Sequence, residues 1–323
     1  MSPERTATPA EAPAALSLHA LGRRFGPLVA VEGLTFDVAK GELFGIVGPD
    51  GAGKTTTLRM LAGVLRPSEG DALVEGVSVA RSPEGVKPHI AYMAQRFGLY
   101  EDLTVAENLD FYADLYRVPR RERPARLDRL YRFSRLGEFS GRLAGALSGG
   151  MKQKLSLSCA LVHQPSVLLL DEPTFGVDPI SRRELWLILH EMVSEGVTVV
   201  VSTSYLDEAE RCDRVALLHR GRVLALDRPE ALQRSLPGRL VEVRAPEPRR
   251  VRDVLRGMPG VRRASLFGSK LHVLLDDDVP WEPVAAELRR EGLDARDVRD
   301  AETSLEDVFI ERVAAAEGET SRG

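Results

Sequence analysis

The sequence predicts an α/β fold with a parallel sheet at its centre, and three stretches carry that prediction. Leu43–Leu61, LFGIVGPDGAGKTTTLRML, reads as an apolar strand, a glycine-rich loop and the start of a helix. Val167–Leu170 is a short continuous apolar run, as expected of a strand covered on both faces, and it ends in Asp171 and Glu172. Val197–Ser202 is rich in β-branched residues and reads as a further strand. In sheets of this kind, carboxylates at strand ends face the ligand crevice.

The loop is the strongest local signal. Gly48, Gly51 and Gly53 permit turns that a Cβ resists, so successive amides can converge on a polyanion while the following helix directs its positive end there. The pattern GxxxxGK(S/T) spans Gly48–Thr55. Its mechanics assign Lys54 to the β- and γ-phosphates of a nucleoside triphosphate and Thr55 to Mg²⁺. Pro49, Asp50, Ala52 and Thr56 belong to the same candidate site.

At 323 residues the chain suits a large α/β domain plus a smaller one. A net charge of -4 argues against nucleic acid as a partner, because a nucleic-acid binder usually shows a basic face. The two cysteines, Cys159 and Cys212, match neither a disulfide framework nor a metal-ligand spacing, which fits a reducing cytosol. No run approaches the roughly 20 apolar residues that cross a bilayer, and the start of the chain lacks the regions of a signal peptide. Residues 1–15 and 314–323 are polar without apolar periodicity and are expected to be disordered tails.

Taken in order, Leu16–Phe25 and Leu34–Val38 alternate apolar and polar residues and predict antiparallel strands beside the nucleotide. Phe25 is then either a core aromatic or a platform for a base. A helix is expected from Lys54 to Leu65, then strands at Ala72–Val79 and Ile90–Met93. Gln95 follows the last of these; its amide can coordinate Mg²⁺ or position water, or simply meet solvent. Thr104 predicts an N-cap for a helix over Val105–Arg117, and a second helix covers Arg123–Leu136 with a basic, solvated face. Leu147–Lys154, LSGGMKQK, places Ser148, Gly149 and Gly150 at a helix start, which is either an ordinary Ser cap or a second anion site. Asp171 is placed to bind Mg²⁺, and Glu172 to polarise a water as general base. Ser181 and Glu184 predict a capping box for the helix that runs to Ser194.

Together these residues resemble the ATP-binding subunits of ABC transporters over Leu16–Leu236. The resemblance implies a P-loop NTPase fold with an antiparallel β subdomain and a helical subdomain, ATP and Mg²⁺ as ligands, and a dimer of ATPase domains. It makes Gly48–Thr55 the Walker A loop, Phe25 the adenine-stacking aromatic, Gln95 the Q-loop glutamine, Leu147–Met151 the signature, Asp171 and Glu172 the Walker B end, and Thr174–Pro179 the D-loop. In that family Ser148, Gly149 and Gly150 serve the γ-phosphate of ATP held by the opposite subunit. The combination GPDGAGKTT, QRFGLYEDLTVAENL, LSGGMKQKL, DPISRRELW and STSYLDEAE is especially similar to the first ATPase half of YbhF-type exporter subunits of the drug-exporting ABC-2 group. Those carry two such halves and this chain carries one. Two positions depart from the family pattern: Ser204 stands where a histidine usually contacts the γ-phosphate, and Asp50 where Asn or Ser is usual.

After Pro237–Gly238, apolar segments at Leu240–Val243, Val261–Phe267 and Leu271–Leu275 alternate with helical ones at Arg249–Met258 and Trp281–Glu291, predicting a small βαββαβ domain over 237–313. SLEDVFIERV, Ser304–Val313, adds a final helix and resembles the accessory domain of ABC-2 exporter ATPases. The acidic run Asp276–Asp278 lacks the spacing of a Ca²⁺ loop and reads as a solvated turn. The expectation is an ATP-hydrolysing motor subunit at the cytoplasmic membrane face, driving an ABC-2 permease. Two rivals are a soluble ABC ATPase, which usually carries two modules or long inserts, and a regulatory subunit whose own site is slow because of Ser204 and Asp50.

Overall fold

The computed structural model describes residues 14–95 and 98–320, so the expected N-terminal tail lies almost wholly outside the described residues. The chain divides into two compact units between Pro229 and Glu230. This division falls ahead of Pro237–Gly238, where composition alone suggested a linker. The short segment between belongs with the second unit, because Leu232 is buried and Ser235 accepts a hydrogen bond from Arg312 at 3.2 Å.

In the first unit, β1 (Ala14–Phe25) and β2 (Leu28–Ala39) form an antiparallel hairpin. Strand β1 begins two residues earlier than its alternation suggested, and Ala15 is already buried. Then come β3 (Leu43–Val47), α1 (Lys54–Leu61), β4 (Glu69–Val74), β5 (Val77–Ser78), the single turn α2 (Pro83–Val86) and β6 (Ile90–Met93). Helix α1 stops short of Leu65 because Gly63 turns left-handed at φ +66°. Three helices follow, α3 (Val105–Leu115), α4 (Arg123–Ser134) and α5 (Gly149–Leu161), then β7 (Val167–Asp171), α6 (Pro179–Ser194), β8 (Thr198–Thr203), the short α7 (Leu206–Ala209), β9 (Arg214–His219) and β10 (Arg222–Asp227).

These strands make two sheets. One is antiparallel in the order β2-β1-β4-β5. The other, in the order β10-β9-β3-β8-β7-β6, is parallel except for the β10–β9 pair. All residues of β3, β7 and β8 are buried, the physical counterpart of their apolar stretches Leu43–Val47, Val167–Leu170 and Val199–Val201. Helices α3, α4 and α5 bury a core of their own, including Leu109, Leu130, Leu136 and Leu155. Thr104 caps α3 as expected, and Glu107 reaches back to complete a capping box.

Helix α6 starts differently from the expected capping box. Its N-cap is Asp178, whose carboxylate accepts from the amides of Ile180 and Ser181, with Pro179 at the first helical position. Ser181 is left inside the first turn. There it packs against the start of α5, where a Cβ on Gly150 would lie 2.3 Å from the Cβ of Ser181.

The second unit contains α8 (Pro229–Arg234) from its second residue on, β11 (Arg239–Arg244), α9 (Pro248–Leu255), β12 (Val261–Phe267), β13 (Lys270–Leu275), α10 (Trp281–Arg290), β14 (Arg296–Asp300) and α11 (Leu305–Thr320). From β11 to β14 this is the βαββαβ order, and the antiparallel sheet β12-β13-β11-β14 is that of a split βαβ fold. Val241, Val243, Leu271 and Val273 pack with Val251, Leu255 and Leu288. Asp276–Asp278 form an exposed turn after β13. Helix α11 continues past Val313, where the sequence suggested a tail, because its alanines are strong helix formers.

The contact at Gly150 yields a stability prediction. Gly150→Ala should lower unfolding free energy in denaturant titrations by about 1–3 kcal/mol through overpacking. Adding Ser181→Gly should restore most of that loss, whereas an unrelieved double variant would show that the contact is not limiting.

Candidate nucleotide site

Strand β3 ends in the middle of the parallel sheet, with β8 on one side and β9 on the other, and the glycine-rich loop leaves from that end. The Gly48 amide donates to the Thr203 carbonyl at 3.2 Å. Gly48 is required by close approach, since a Cβ there would sit 2.2 Å from the Leu218 carbonyl oxygen. Gly53 is required by conformation, with φ +105°, and immediately precedes α1. No side chain caps α1, so its first amides are left for a ligand.

The polar groups converge behind this loop. The Lys54 ammonium is buried and donates to the carbonyls of Gly48 (2.7 Å) and Pro49 (3.1 Å), and it pairs with Glu172 Oε1 at 3.0 Å. Thr55 Oγ1 donates to Asp171 Oδ1 at 3.0 Å. Gln95 Nε2 donates to Glu172 Oε2 at 3.3 Å. Glu172 itself holds φ +48°, a left-handed conformation rare outside glycine, just where β7 gives way to the following turn.

Two further residues belong to this cluster and were not singled out from the sequence as ligands. Ser202 donates to Asp171 Oδ1 at 2.8 Å and accepts from the Glu172 amide at 3.1 Å, so it holds both carboxylate residues in place. Tyr92 donates to Asp171 Oδ2 at 3.2 Å. Burial, with the Asp171 charge beside it, pushes the Tyr92 phenol above its usual range. Ser202 looked like a plain strand residue. Only the β7–β8 register, which sets Asp171 beside Ser202, reveals its role.

A cavity of about 340 Å³ opens on this cluster. Phe25, Asp50, Gly51, Ala52, Gly53, Lys54, Thr55, Thr56, Gln95 and Glu172 line it, while Gly48 and Pro49 lie behind and present carbonyls to Lys54. Ser204, directly after β8, is not among the lining residues, and neither are Ser148, Gly149 and Gly150 at the start of α5. The donors suit the expected ligands. Thr55 and Asp171 offer adjacent hard oxygens of the kind Mg²⁺ takes, and the loop amides with Lys54 suit a polyphosphate.

The fold and site together define a nucleotide-binding domain of the P-loop class. Residues 31–175 match the ABC transporter family. Over 94% of its length the chain is 42% identical to the probable multidrug ABC transporter ATP-binding protein YbhF of Escherichia coli, of which it covers 53%, so it spans about half the length of that relative. It is 35% identical to the daunorubicin resistance ATP-binding protein DrrA2 of Streptomyces coeruleorubidus, covering 92% of this chain and 94% of that one. Among solved structures, it resembles the dimeric post-hydrolysis state of the ATP-binding cassette MJ0796 bound to ADP and Pi, with a TM-score of 0.60 and 25% identity over 66% of this chain and 98% of that one. The chain belongs to the family of ABC transporter ATP-binding proteins.

One buried carboxylate lies just outside the cavity. Glu208, on α7, accepts from Thr174 Oγ1 at 2.8 Å and Thr203 Oγ1 at 3.0 Å, with Arg182 3.3 Å from its other oxygen. It thereby joins the turn after Glu172 to the end of β8. Burial raises its pKa above the ordinary 4.5, so folding shifts its titration toward the neutral form relative to the unfolded chain. Its stabilising contribution is therefore complete below the unfolded value and declines as pH rises through the folded one. Melting temperatures of the wild type and Glu208→Gln, compared between roughly pH 4 and 7, should show the wild type losing ground as pH rises. Parallel curves would refute this.

Proposed function

We propose that this chain is an ATP-hydrolysing motor subunit of an ABC-2 type exporter, working as a dimer of ATPase domains against a membrane permease at the cytoplasmic face. The observation that carries the reading is that Lys54, Thr55, Gln95 and Glu172, from separate parts of the sequence, line one cavity beside a glycine-rich loop, with Asp171 buried against Thr55. YbhF and DrrA2, by their names, serve multidrug transport and daunorubicin resistance, which supports export.

In this reading the loop amides and Lys54 bind the triphosphate. The Lys54 ammonium exchanges its contact with Glu172 for phosphate oxygens, which releases the carboxylate to orient water and accept its proton. Gln95 holds Glu172 on the side opposite Lys54. Thr55 and Asp171 would hold Mg²⁺, whose chemistry when bound is neutralisation of phosphate charge. The start of α5, with Ser148 capping the Met151 amide at 3.3 Å, serves the triphosphate of a second subunit. Phe25, 44% exposed beside the loop, offers a face for adenine.

For the permease, a cluster of exposed apolar side chains on and just before α3 supports docking. Tyr100 and Phe111 contact edge to face at 4.6 Å and are 49% and 36% exposed, and Leu115 and Tyr116 continue the patch along α3. Among the described residues, no helix is long and apolar enough to cross a membrane.

Two assays test the proposal. Glu172→Gln should still bind Mg-ATP while single-turnover hydrolysis falls by roughly 10² to 10⁴; failure of the wild type to bind Mg-ATP would end the reading. In the same assay Ser204→His should raise the rate by up to about 10² to 10³, because a hydroxyl at that position reaches a γ-phosphate only through water. An unchanged rate would show that Ser204 suffices. Purified from its own membranes, the tagged chain should bring down a multi-span protein, and Tyr100→Glu with Phe111→Glu should release it. Recovery without such a protein would count against the permease.

A further inference from the structure

We propose that Arg23 is a positioning residue for the nucleotide base, holding the Phe25 ring so that its cavity-side face is presented to a purine. This rests on reading the cavity as an ATP site and concerns how that site discriminates the base from the phosphates.

Phe25 ends β1 at the tip of a hairpin, paired with Leu28 across the turn. An aromatic side chain exposed at such a tip has little packing to select its rotamer, and a mobile ring makes a poor stacking surface. Arg23 supplies the missing constraint. The hairpin register shifts between Arg23 and Arg24, and across this irregularity the Arg23 guanidinium carbon lies 4.6 Å from the Phe25 ring centroid. Phe25 lines the cavity and Arg23 does not, and under this proposal the guanidinium takes the ring face turned away from the ligand.

The guanidinium is itself tethered. Its Nη1 donates to the Arg66 carbonyl at 2.8 Å, in the segment that follows α1. The same segment grips the neighbouring backbone, with the Ser68 amide donating to the Gly22 carbonyl at 2.8 Å and the Arg24 amide donating to Ser68 Oγ at 3.1 Å. The base platform is thus referenced to the segment leaving the helix that carries Lys54 and Thr55. Only a planar, forked cation can stack and donate sideways at once, so Lys is a poor replacement.

Calorimetric titration of the full chain with Mg-ATP and with Mg-tripolyphosphate tests this. Arg23→Ala should weaken Mg-ATP binding by roughly two- to fivefold and leave Mg-tripolyphosphate unchanged. The KM for ATP should rise in proportion with kcat unaltered, Arg23→Lys should recover little, and Arg23→Ala should cause no further loss in a Phe25→Ala background. Equal weakening of both ligands would reduce Arg23 to general charge attraction and overturn the proposal, as would losses that add independently of Phe25. Wild-type chain that binds tripolyphosphate as tightly as ATP would remove the base subsite alone; wild-type chain that binds neither would overturn the cavity reading and this proposal with it.

Discussion

A buried ammonium group needs compensation, and at Lys54 that need organises the centre of the molecule. Lys54 is 4% exposed, so its charge is held by the carbonyls of Gly48 and Pro49 and by the Glu172 carboxylate. Leaving such a charge unpaired would cost several kcal/mol. The loop must therefore curl back over its own lysine, and the end of β7 must lie beside the end of β3's loop. A polyphosphate answers the same requirement with more charge, which is why a site this self-satisfied is also receptive to one.

The parallel sheet makes that arrangement possible. Strands β3, β8 and β7 are neighbours and run in one direction, so their carboxyl ends deliver the loop, Ser202 and the Asp171–Glu172 pair to one edge. Ser202 ties the two acids together, and Glu172 accepts a left-handed backbone at a cost of order 1–3 kcal/mol. That strain is tolerated because hydrogen bonds on both sides determine where the residue sits. Just behind, Glu208 spans Thr174 and Thr203, so the turns leaving β7 and β8 are joined through one carboxylate.

The signature stretch is organised by a different core. Helix α5 packs with α3 and α4, and its start is capped by Ser148 and lies close against Ser181 rather than lining the cavity. Under the proposed function this separation has a use: the start of α5 is built as a rigid, exposed element for a site on another subunit.

Much of this was legible in the residues. Gly48–Thr55 announced its loop because few other functions need that glycine spacing before a Lys and a Thr, and the runs ending in Val47 and Asp171 announced buried parallel strands because they contain no polar alternation. The βαββαβ order of the second unit was equally readable from its alternating segments. Local chemistry misled where two signals competed, as at α6, where Asp178 with Pro179 outweighed Ser181 with Glu184, and at the C-terminus, where alanines prolonged α11.

What the sequence determined by itself was therefore the loop, the acids at the strand end and the class of protein, because each follows from contiguous residues whose backbone needs are local. What only the tertiary structure decided was who meets whom: Lys54 with Glu172, Ser202 and Tyr92 with Asp171, Arg23 against Phe25, and Glu208 between two threonines. Most of these contacts depend on strand order and register, which place residues far apart in the chain a hydrogen bond apart in space. Arg23 and Phe25 are close in sequence, yet which face of the ring is covered depends on where the cavity lies.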